Sequence, residues 1–211
     1  MNDYPSPPTD STLTPKQIEI QKGDQLYRFN KSGHTSCLYY SKNKTYRFDD
    51  PQDNLKSRYG VWYTALTVDA AFAETYGHDV TTLPNKNHKV LSEQQLNDRR
   101  VFKVTLKDTL ALADLTGTGL PALNLDGNIC SMPDYTRSQQ WSRWLHQHSG
   151  QYDGIFYHSR HLSGYGCIAA FERAGNKLTQ ETDLGPAIQF KDPRSGKTIF
   201  DILEQQGWAF R

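Results

Sequence analysis

The alternation of apolar and polar residues is clearest between Arg58 and Gly77, where a strand pattern passes directly into a helical one. Residues 61–64 are β-branched or aromatic, a composition that favours a half-buried strand. Thr67 then predicts a helix cap, and Gly77 predicts the end of that helix. The helical spacing defines a buried stripe made of Val68, Ala71, Phe72, Thr75 and Tyr76.

Glu74 lies off this stripe, on a flank that it shares with the small residues Ala70 and Ala73. Methyl groups beside a carboxylate are predicted to leave room for a ligand. Tyr63, at the strand end, and Glu74 are therefore expected to reach one cleft. Taken singly, Tyr63 is typical of a core aromatic residue and Glu74 of a solvated helix residue.

The remaining pattern mixes strands and helices without a regular βα repeat, which predicts an α+β fold. Further strands are predicted at 26–29, 100–106, 154–157, 167–171 and 187–190. Helices are predicted after Ser92, which forms a capping box with Gln95, from Ser131 or Asp134 to about His148, and over 198–206. The segment after residue 106 is interpreted as a turn, and 31–57 and 78–89 as polar loops. Residues 1–17 are predicted to form a flexible or wrapping arm, and 18–211 one domain.

Composition narrows the function classes. The 211 residues carry a formal net charge of +1, so no overall field favours nucleic acid or an acidic membrane. No apolar run reaches the roughly 20 residues that a membrane span requires. The N-terminus is polar and Pro-rich, unlike a secretory signal. Three widely spaced cysteines form no disulfide framework, so a cytoplasmic location is expected. The histidines follow no metal-ligand pattern, so no metal is predicted.

Five short motifs, taken in order, resemble the RES-domain family. They are Tyr27-Arg28-Phe29, Arg47-Phe48, Gly60 to Ala65, Ala70 to Thr75 and Asp153 to Arg160. The resemblance covers about residues 24–172 and leaves the arm and the C-terminal extension 173–211 outside it. It implies a fold similar to ADP-ribosyltransferase toxins, in which a central, split, antiparallel-rich sheet is flanked by short helices.

The resemblance also implies an activity. Members of this family consume NAD as toxins of bacterial toxin–antitoxin pairs, and their antitoxin partner carries a helix-turn-helix part. NAD would be the substrate and no further cofactor is implied. The acceptor stays open between water and phosphate. Two alternatives are a mono-ADP-ribosyltransferase that modifies a protein and a non-catalytic binding module on the same fold.

The roles of individual residues follow from this resemblance. Glu74, Arg28 and Ser159 are assigned to catalysis. Breaking the nicotinamide–ribose bond passes through an oxocarbenium-like sugar, whose charge Glu74 would oppose. Ser159 would contact the ribose or a phosphate, or help to place the acceptor. Tyr63 would offer a face and a hydroxyl to nicotinamide.

Phosphate binding is assigned to planar guanidinium groups. Arg28 and Arg47 would hold the pyrophosphate by paired hydrogen bonds. Tyr46, next to Arg47, is included in the NAD-binding set. A lengthened segment separates Arg47 from Tyr63 and makes Arg58 a rival for the role of Arg47.

Overall fold

A curled, mostly antiparallel sheet organises the chain. The computed structural model describes residues 4–10, 12–34, 36–80 and 89–211. The strands in this part are β1 (Gln17–Ile20), β2 (Gln25–Lys31), β3 (Val61–Ala65), β4 (Val90–Leu91), β5 (Arg99–Leu106), β6 (Leu110–Asp114), β7 (Gly154–His158), β8 (Gly166–Phe171), β9 (Leu178–Pro186) and β10 (Ala209–Phe210). The α-helices are α1 (Val68–Val80), α2 (Glu93–Asn97), α3 (Gly119–Ala122), α4 (Asn128–Ser131), α5 (Thr136–Gln147) and α6 (Ile199–Gln205).

The main sheet divides at the junction of β2 and β3. Its strand order is β1-β6-β7-β8-β3-β2-β5-β9, and only β6 and β7 run parallel. A single residue pair, Tyr27 with Ala65, joins β2 to β3, whereas β3 pairs with β8 along its whole length. The sheet therefore consists of a five-stranded and a three-stranded part. This architecture confirms the α+β fold with a split, antiparallel-rich sheet and short helices.

Helix α1 packs across β2 and connects both parts of the sheet. The Thr67 hydroxyl accepts a hydrogen bond from the Ala70 backbone N–H at 3.2 Å, which confirms the predicted cap. Phe72 and Tyr76 both contact the ring of Phe29, with ring centroids 5.9 Å apart in each pair. The buried face of α1 thus fixes the helix against β2.

The predicted end of α1 at Gly77 is wrong, because the helix continues to Val80. Gly77 is required for close packing instead: a Cβ atom there would lie 2.6 Å from Cγ of His161. The predicted loop at 78–89 begins inside the helix, and residues 81–88 of it lie outside the described residues.

Several other elements follow the sequence pattern. The strands predicted at 26–29, 100–106, 154–157 and 167–171 are present, as is the helix over 198–206. The Ser92 and Gln95 capping box forms as predicted. Ser131 ends α4, and α5 begins at Thr136, whose backbone N–H donates to the Asp134 carboxylate at 2.9 Å.

Three elements differ from the sequence pattern. The strand predicted at 187–190 is wrong: Ala187–Gln189 is a 3₁₀ turn that buries Ala187 and Phe190 on one side. The segment interpreted as a turn after residue 106 contains β6, whose Leu110 and Leu112 are fully buried. The C-terminal extension contributes β9, which pairs with β5 at the sheet edge.

The described part of the N-terminal arm wraps around α5. The indole N–H of Trp141 donates to the Pro5 carbonyl at 2.9 Å, and that of Trp144 donates to the Asp10 carbonyl at 3.1 Å. These bonds satisfy two large aromatic donors that face the arm. Strand β1 then pairs with β6 and extends the sheet. Within the described residues, no helix has the length and apolar character needed to cross a bilayer.

Candidate active site

A cavity of about 550 Å³ opens where β2 and β3 diverge, and this volume lies in the usual range for small-molecule sites. β2 and β3 form one side of it, and α1 contributes Ala71, Glu74 and Thr75. The predicted open flank of Ala70 and Ala73 is therefore wrong, since both residues are buried. Of the residues predicted for the site, the cavity wall contains Arg28, Tyr46, Arg47, Tyr63 and Glu74.

Both carboxylate oxygens of Glu74 accept hydrogen bonds from hydroxyl groups on β7 and on the turn that follows it. The Ser159 hydroxyl donates to Oε1 at 2.7 Å, and the Tyr157 hydroxyl donates to Oε2 at 3.2 Å. Burial, and then the charge of Glu74, raise the pKa of Tyr157 well above its usual range, so the phenol stays a neutral donor. The side chain of Glu74 is thus fixed at the cavity wall.

Ser159 lies behind Glu74, not on the cavity wall. Its side chain is buried, and its oxygen also accepts hydrogen bonds from the backbone N–H groups of His161 and Leu162, each at 3.1 Å. The Ser159 hydroxyl therefore both fixes the turn after β7 and orients the Glu74 carboxylate. This geometry makes Ser159 a positioning residue for Glu74 in this structure.

Arg28 presents a guanidinium group from the middle of β2. Its Nη1 atom is buried and has no hydrogen-bond partner among the described residues. Burial lowers the pKa of Arg28, because a charged group is being removed from water. An unpaired guanidinium nitrogen beside a cavity is costly unless an anion or water completes it.

Arg47 reaches the same cavity from the loop that precedes β3. Its Nη1 donates to the carbonyls of Ile129 and Met132 at 3.3 and 2.9 Å, and its guanidinium lies 4.5 Å above the Tyr135 ring. Its Nη2 atom is buried and has no hydrogen-bond partner within the described chain. Burial lowers the pKa of this arginine as well. Arg28 and Arg47 therefore line one cavity from two different elements, and each has one buried nitrogen that lacks a partner among the described residues.

Arg58, the rival of Arg47, lies outside the cavity wall. Its Nη1 donates to the Lys42 carbonyl at 2.8 Å and its Nη2 to the Asp53 carbonyl at 3.2 Å. A third bond joins its Nε to the Gln52 carbonyl. Because all three nitrogens serve loop carbonyls, Arg58 ties the preceding loop together and Arg47 is the arginine brought to the cavity.

Tyr63 contributes its ring to the cavity while its hydroxyl is already engaged. That hydroxyl donates to Asp49 Oδ1 at 3.0 Å and accepts from the Phe48 backbone N–H at 2.9 Å. Burial and the charge of Asp49 raise the pKa of Tyr63 well above its usual range. Tyr46, about half exposed, packs edge-on against this ring at 5.5 Å. The two aromatic rings form an apolar wall beside the arginines.

Asp49 is the main residue of the site that the sequence pattern did not reveal. It is fully buried, and besides Tyr63 it accepts from the backbone N–H groups of Thr45 and Tyr46 at 2.9 and 2.8 Å. Its carboxylate thereby fixes the loop that delivers Arg47. A single aspartate in a polar loop carries no local signal of such a role. Tyr157 was likewise visible only as part of an apolar strand.

The described residues include no group of three or more His, Cys, Asp or Glu side chains arranged to share a metal ion. What this site offers is a fixed carboxylate, two incompletely paired guanidinium groups and an aromatic wall. A carboxylate stabilises a developing cation, and guanidinium groups bind phosphate oxygens. The arrangement is suited to a phosphate-containing substrate whose reaction passes through a positively charged transition state.

Known proteins are similar to this chain, one in sequence and one in fold. A protein of Sinorhizobium fredii described as probable toxin y4kH is 33% identical over 98 residues, which span 46% of this chain and 76% of that protein. The crystal structure of the Mycobacterium tuberculosis MbcT–MbcA toxin–antitoxin complex contains a similar chain, with a TM-score of 0.55 and 20% identity over 80% of this chain and 88% of that one. The RES domain model matches residues 25–191, further than the 24–172 expected, because the match includes β9. The chain belongs to the RES domain family.

Proposed function

We propose that this protein degrades NAD by cleaving its nicotinamide–ribose bond, with water or phosphate as the acceptor, and acts as the toxin of a toxin–antitoxin pair. The observation that carries the proposal is that the fixed carboxylate of Glu74 lines the same cavity as Arg28 and Arg47, each of which has one buried guanidinium nitrogen without a hydrogen-bond partner among the described residues. NAD contains a sugar that becomes cationic on cleavage and a diphosphate that is anionic throughout. Each of these charges has a complementary group in the cavity.

The bond that breaks joins the anomeric carbon to the nicotinamide nitrogen. Its electron pair goes to nicotinamide, which leaves as a neutral molecule and needs no general acid. The ribose takes on oxocarbenium character, and the carboxylate of Glu74 stabilises it. The acceptor oxygen then bonds to the anomeric carbon, and water would release its proton to solvent. Ser159 and Tyr157 keep the carboxylate in position throughout.

The activity is tested by incubating purified protein with NAD and following its loss. Glu74→Gln keeps the shape of the side chain and removes its charge, so NAD loss is expected to fall by about 10²–10³-fold. Glu204→Gln, on the exposed face of α6, is the matched control and is expected to match wild type. Wild-type turnover in a folded Glu74→Gln variant would contradict the mechanism.

Product analysis identifies the acceptor. Free ADP-ribose indicates water, a phosphorylated ADP-ribose indicates phosphate, and label retained on protein indicates a transferase. Intact NAD in every reaction would favour a non-catalytic binding module. These outcomes separate the alternatives because each leaves the ADP-ribosyl group on a different acceptor.

The toxin role is supported by the relatives, one described as a probable toxin and the other crystallised as part of a toxin–antitoxin complex. Expression of this chain alone in bacteria should deplete NAD and arrest growth, and Glu74→Gln should relieve both effects. A partner protein that blocks the cavity is then expected. Arrest at unchanged NAD levels would contradict the NAD-depletion mechanism.

A further inference from the structure

The main cavity carries more positive charge than a dinucleotide diphosphate requires. Its lining, all within the described chain, includes one carboxylate, that of Glu74. The cationic lining residues are Arg28, Lys31, Arg47, Arg99 and Arg160. The diphosphate of NAD offers two negative charges, for which the proposed function already assigns Arg28 and Arg47. Lys31 and Arg99 form a separate cationic pair that this assignment does not use.

Lys31 and Arg99 face each other across β2 and β5. The two residues are direct partners in the register of this antiparallel pair, and like charges in that position destabilise a sheet. Neither side chain forms an ion pair within the described residues. The next residue on β5, Arg100, does form one, with Asp183 at 2.7 Å. The like-charged pair is therefore a place where a bound anion would relieve repulsion.

A second cavity of about 520 Å³ adjoins the first and shares Lys31, His34 and Arg99 with it. Of its described lining residues, Asp98 alone is a carboxylate. The turn between β2 and this cavity is fixed by two backbone hydrogen bonds, from His34 N–H to the Lys31 carbonyl at 3.0 Å and from Ser32 N–H to the Asp98 carbonyl at 2.9 Å. Lys31 and Arg99 thus line both cavities, beside a turn that is fixed by hydrogen bonds.

An aromatic pair accompanies these cations in the main cavity. The rings of His34 and Tyr39 are stacked, with centroids 6.2 Å apart and planes 19° apart, and Tyr39 is about half exposed. Exposed aromatic faces bind nucleobases by stacking. Arg28 and Lys31 are three residues apart on β2, roughly 10 Å along the strand, and this odd spacing turns their side chains to opposite faces, yet both residues line the main cavity. A nucleoside could therefore extend from the diphosphate towards the cationic pair.

We propose that Lys31 and Arg99 form a second phosphate subsite, which binds the 2′-phosphate of NADP while adenine stacks on the His34–Tyr39 pair. The inference rests on the proposed function and names its substrate class. A 2′-phosphate adds about two negative charges at neutral pH, which match the two positive charges of Lys31 and Arg99. Arginine residues are the usual partners of this group in dinucleotide sites.

The test compares kcat/KM for NADP and for NAD in wild type, Lys31→Gln and Arg99→Gln. Wild type is expected to prefer NADP, and each variant is expected to lower the NADP-to-NAD ratio roughly 10–100-fold, the usual effect of losing a hydrogen bond to a charged group. Lys103→Gln, on β5 but outside both cavities, is the matched control and should keep the wild-type ratio. Thermal denaturation confirms that each variant is folded.

Calorimetry on Glu74→Gln with NADP, NAD and inorganic phosphate separates this inference from the proposed function. Tighter binding of NADP than of NAD, lost in the Lys31→Gln background, supports the subsite even where neither dinucleotide is consumed. Consumption of NAD with no preference for NADP overturns the subsite and leaves the proposed activity standing. Inorganic phosphate that binds at Lys31 and Arg99 while NADP shows no preference would make this a site for free phosphate and would also overturn the 2′-phosphate assignment.

Discussion

Ser159→Ala provides a sharp test of how the candidate carboxylate is held. The Ser159 oxygen takes part in three hydrogen bonds, one to Glu74 at 2.7 Å and two from the backbone N–H groups of His161 and Leu162 at 3.1 Å. Alanine removes all three and leaves both N–H groups without their acceptor. Because these N–H groups are only partly buried, each should cost about 1 kcal/mol, the low end for an unsatisfied donor. The expected loss of unfolding free energy is about 2 kcal/mol.

That loss corresponds to a fall in the thermal midpoint of roughly 4–8 °C for a chain of this length. NAD consumption should also decrease, because among the described residues Glu74 then keeps only the 3.2 Å bond from Tyr157. A misplaced catalytic group can cost up to about 10²-fold in rate. Differential scanning fluorimetry measures the first effect, and a coupled NAD assay at a temperature where the variant is folded measures the second.

Two comparison variants make the result decisive. Tyr157→Phe removes one bond to Glu74 and leaves no backbone donor without its acceptor, so it should lower activity with a smaller change in stability. Ser163→Ala, in the exposed part of the same turn, should change neither. A Ser159→Ala protein with the wild-type thermal midpoint and wild-type turnover would refute the positioning role derived from these distances.

Three further changes have defined outcomes. Gly77→Ala should destabilise the fold by about 1–3 kcal/mol, because the new methyl would lie 2.6 Å from the His161 ring. This cost exceeds the gain from the higher helix propensity of alanine, so a stabilised variant would contradict this packing. Burial lowers the pKa of His146, stacked on Tyr59 at 3.9 Å, to about 4. Protonation therefore favours the unfolded chain, and the free energy of unfolding should fall as the pH drops from about 6.5 to 4; chemical denaturation should show a flatter pH profile in His146→Phe. Arg58→Ala should lower the thermal midpoint while the dissociation constant for NAD stays as in wild type. A higher dissociation constant would indicate that Arg58 takes part in NAD binding.

The parts of the fold that depend on neighbouring residues could be predicted from the sequence. The Thr67 cap and the Ser92 capping box each join residues three apart, so their signals are local. The sequence pattern does not predict strand β6, because this strand lies between β1 and β7 and buries apolar residues on both faces, where the alternation of a half-exposed strand is not required. The segment 187–190 differs for another reason: its apolar residues are typical of a strand, but Ala187 and Phe190 are buried at a spacing of three, which fits a 3₁₀ turn.

For the candidate site, too, the sequence predicts the local features and leaves the tertiary contacts unpredicted. The order of the motifs placed Arg28, Arg47, Tyr63 and Glu74 at one cavity, but it could not show what fixes them. The bond from Tyr63 to Asp49 closes a loop of 14 residues and depends on the path of that loop. Contacts of this kind arise from tertiary structure, and no spacing in a single sequence encodes them.

The bond between Ser159 and Glu74 also has a consequence for biosynthesis. The two residues are 85 positions apart, so a ribosome that adds 5–20 residues per second completes the pair roughly 4–17 s after it has made Glu74. Strand β3, which carries Tyr63, must wait still longer for its partner β8. A nascent chain therefore lacks an assembled site until most of it has been translated, and any protein that is to intercept this chain before it acts has that interval in which to arrive.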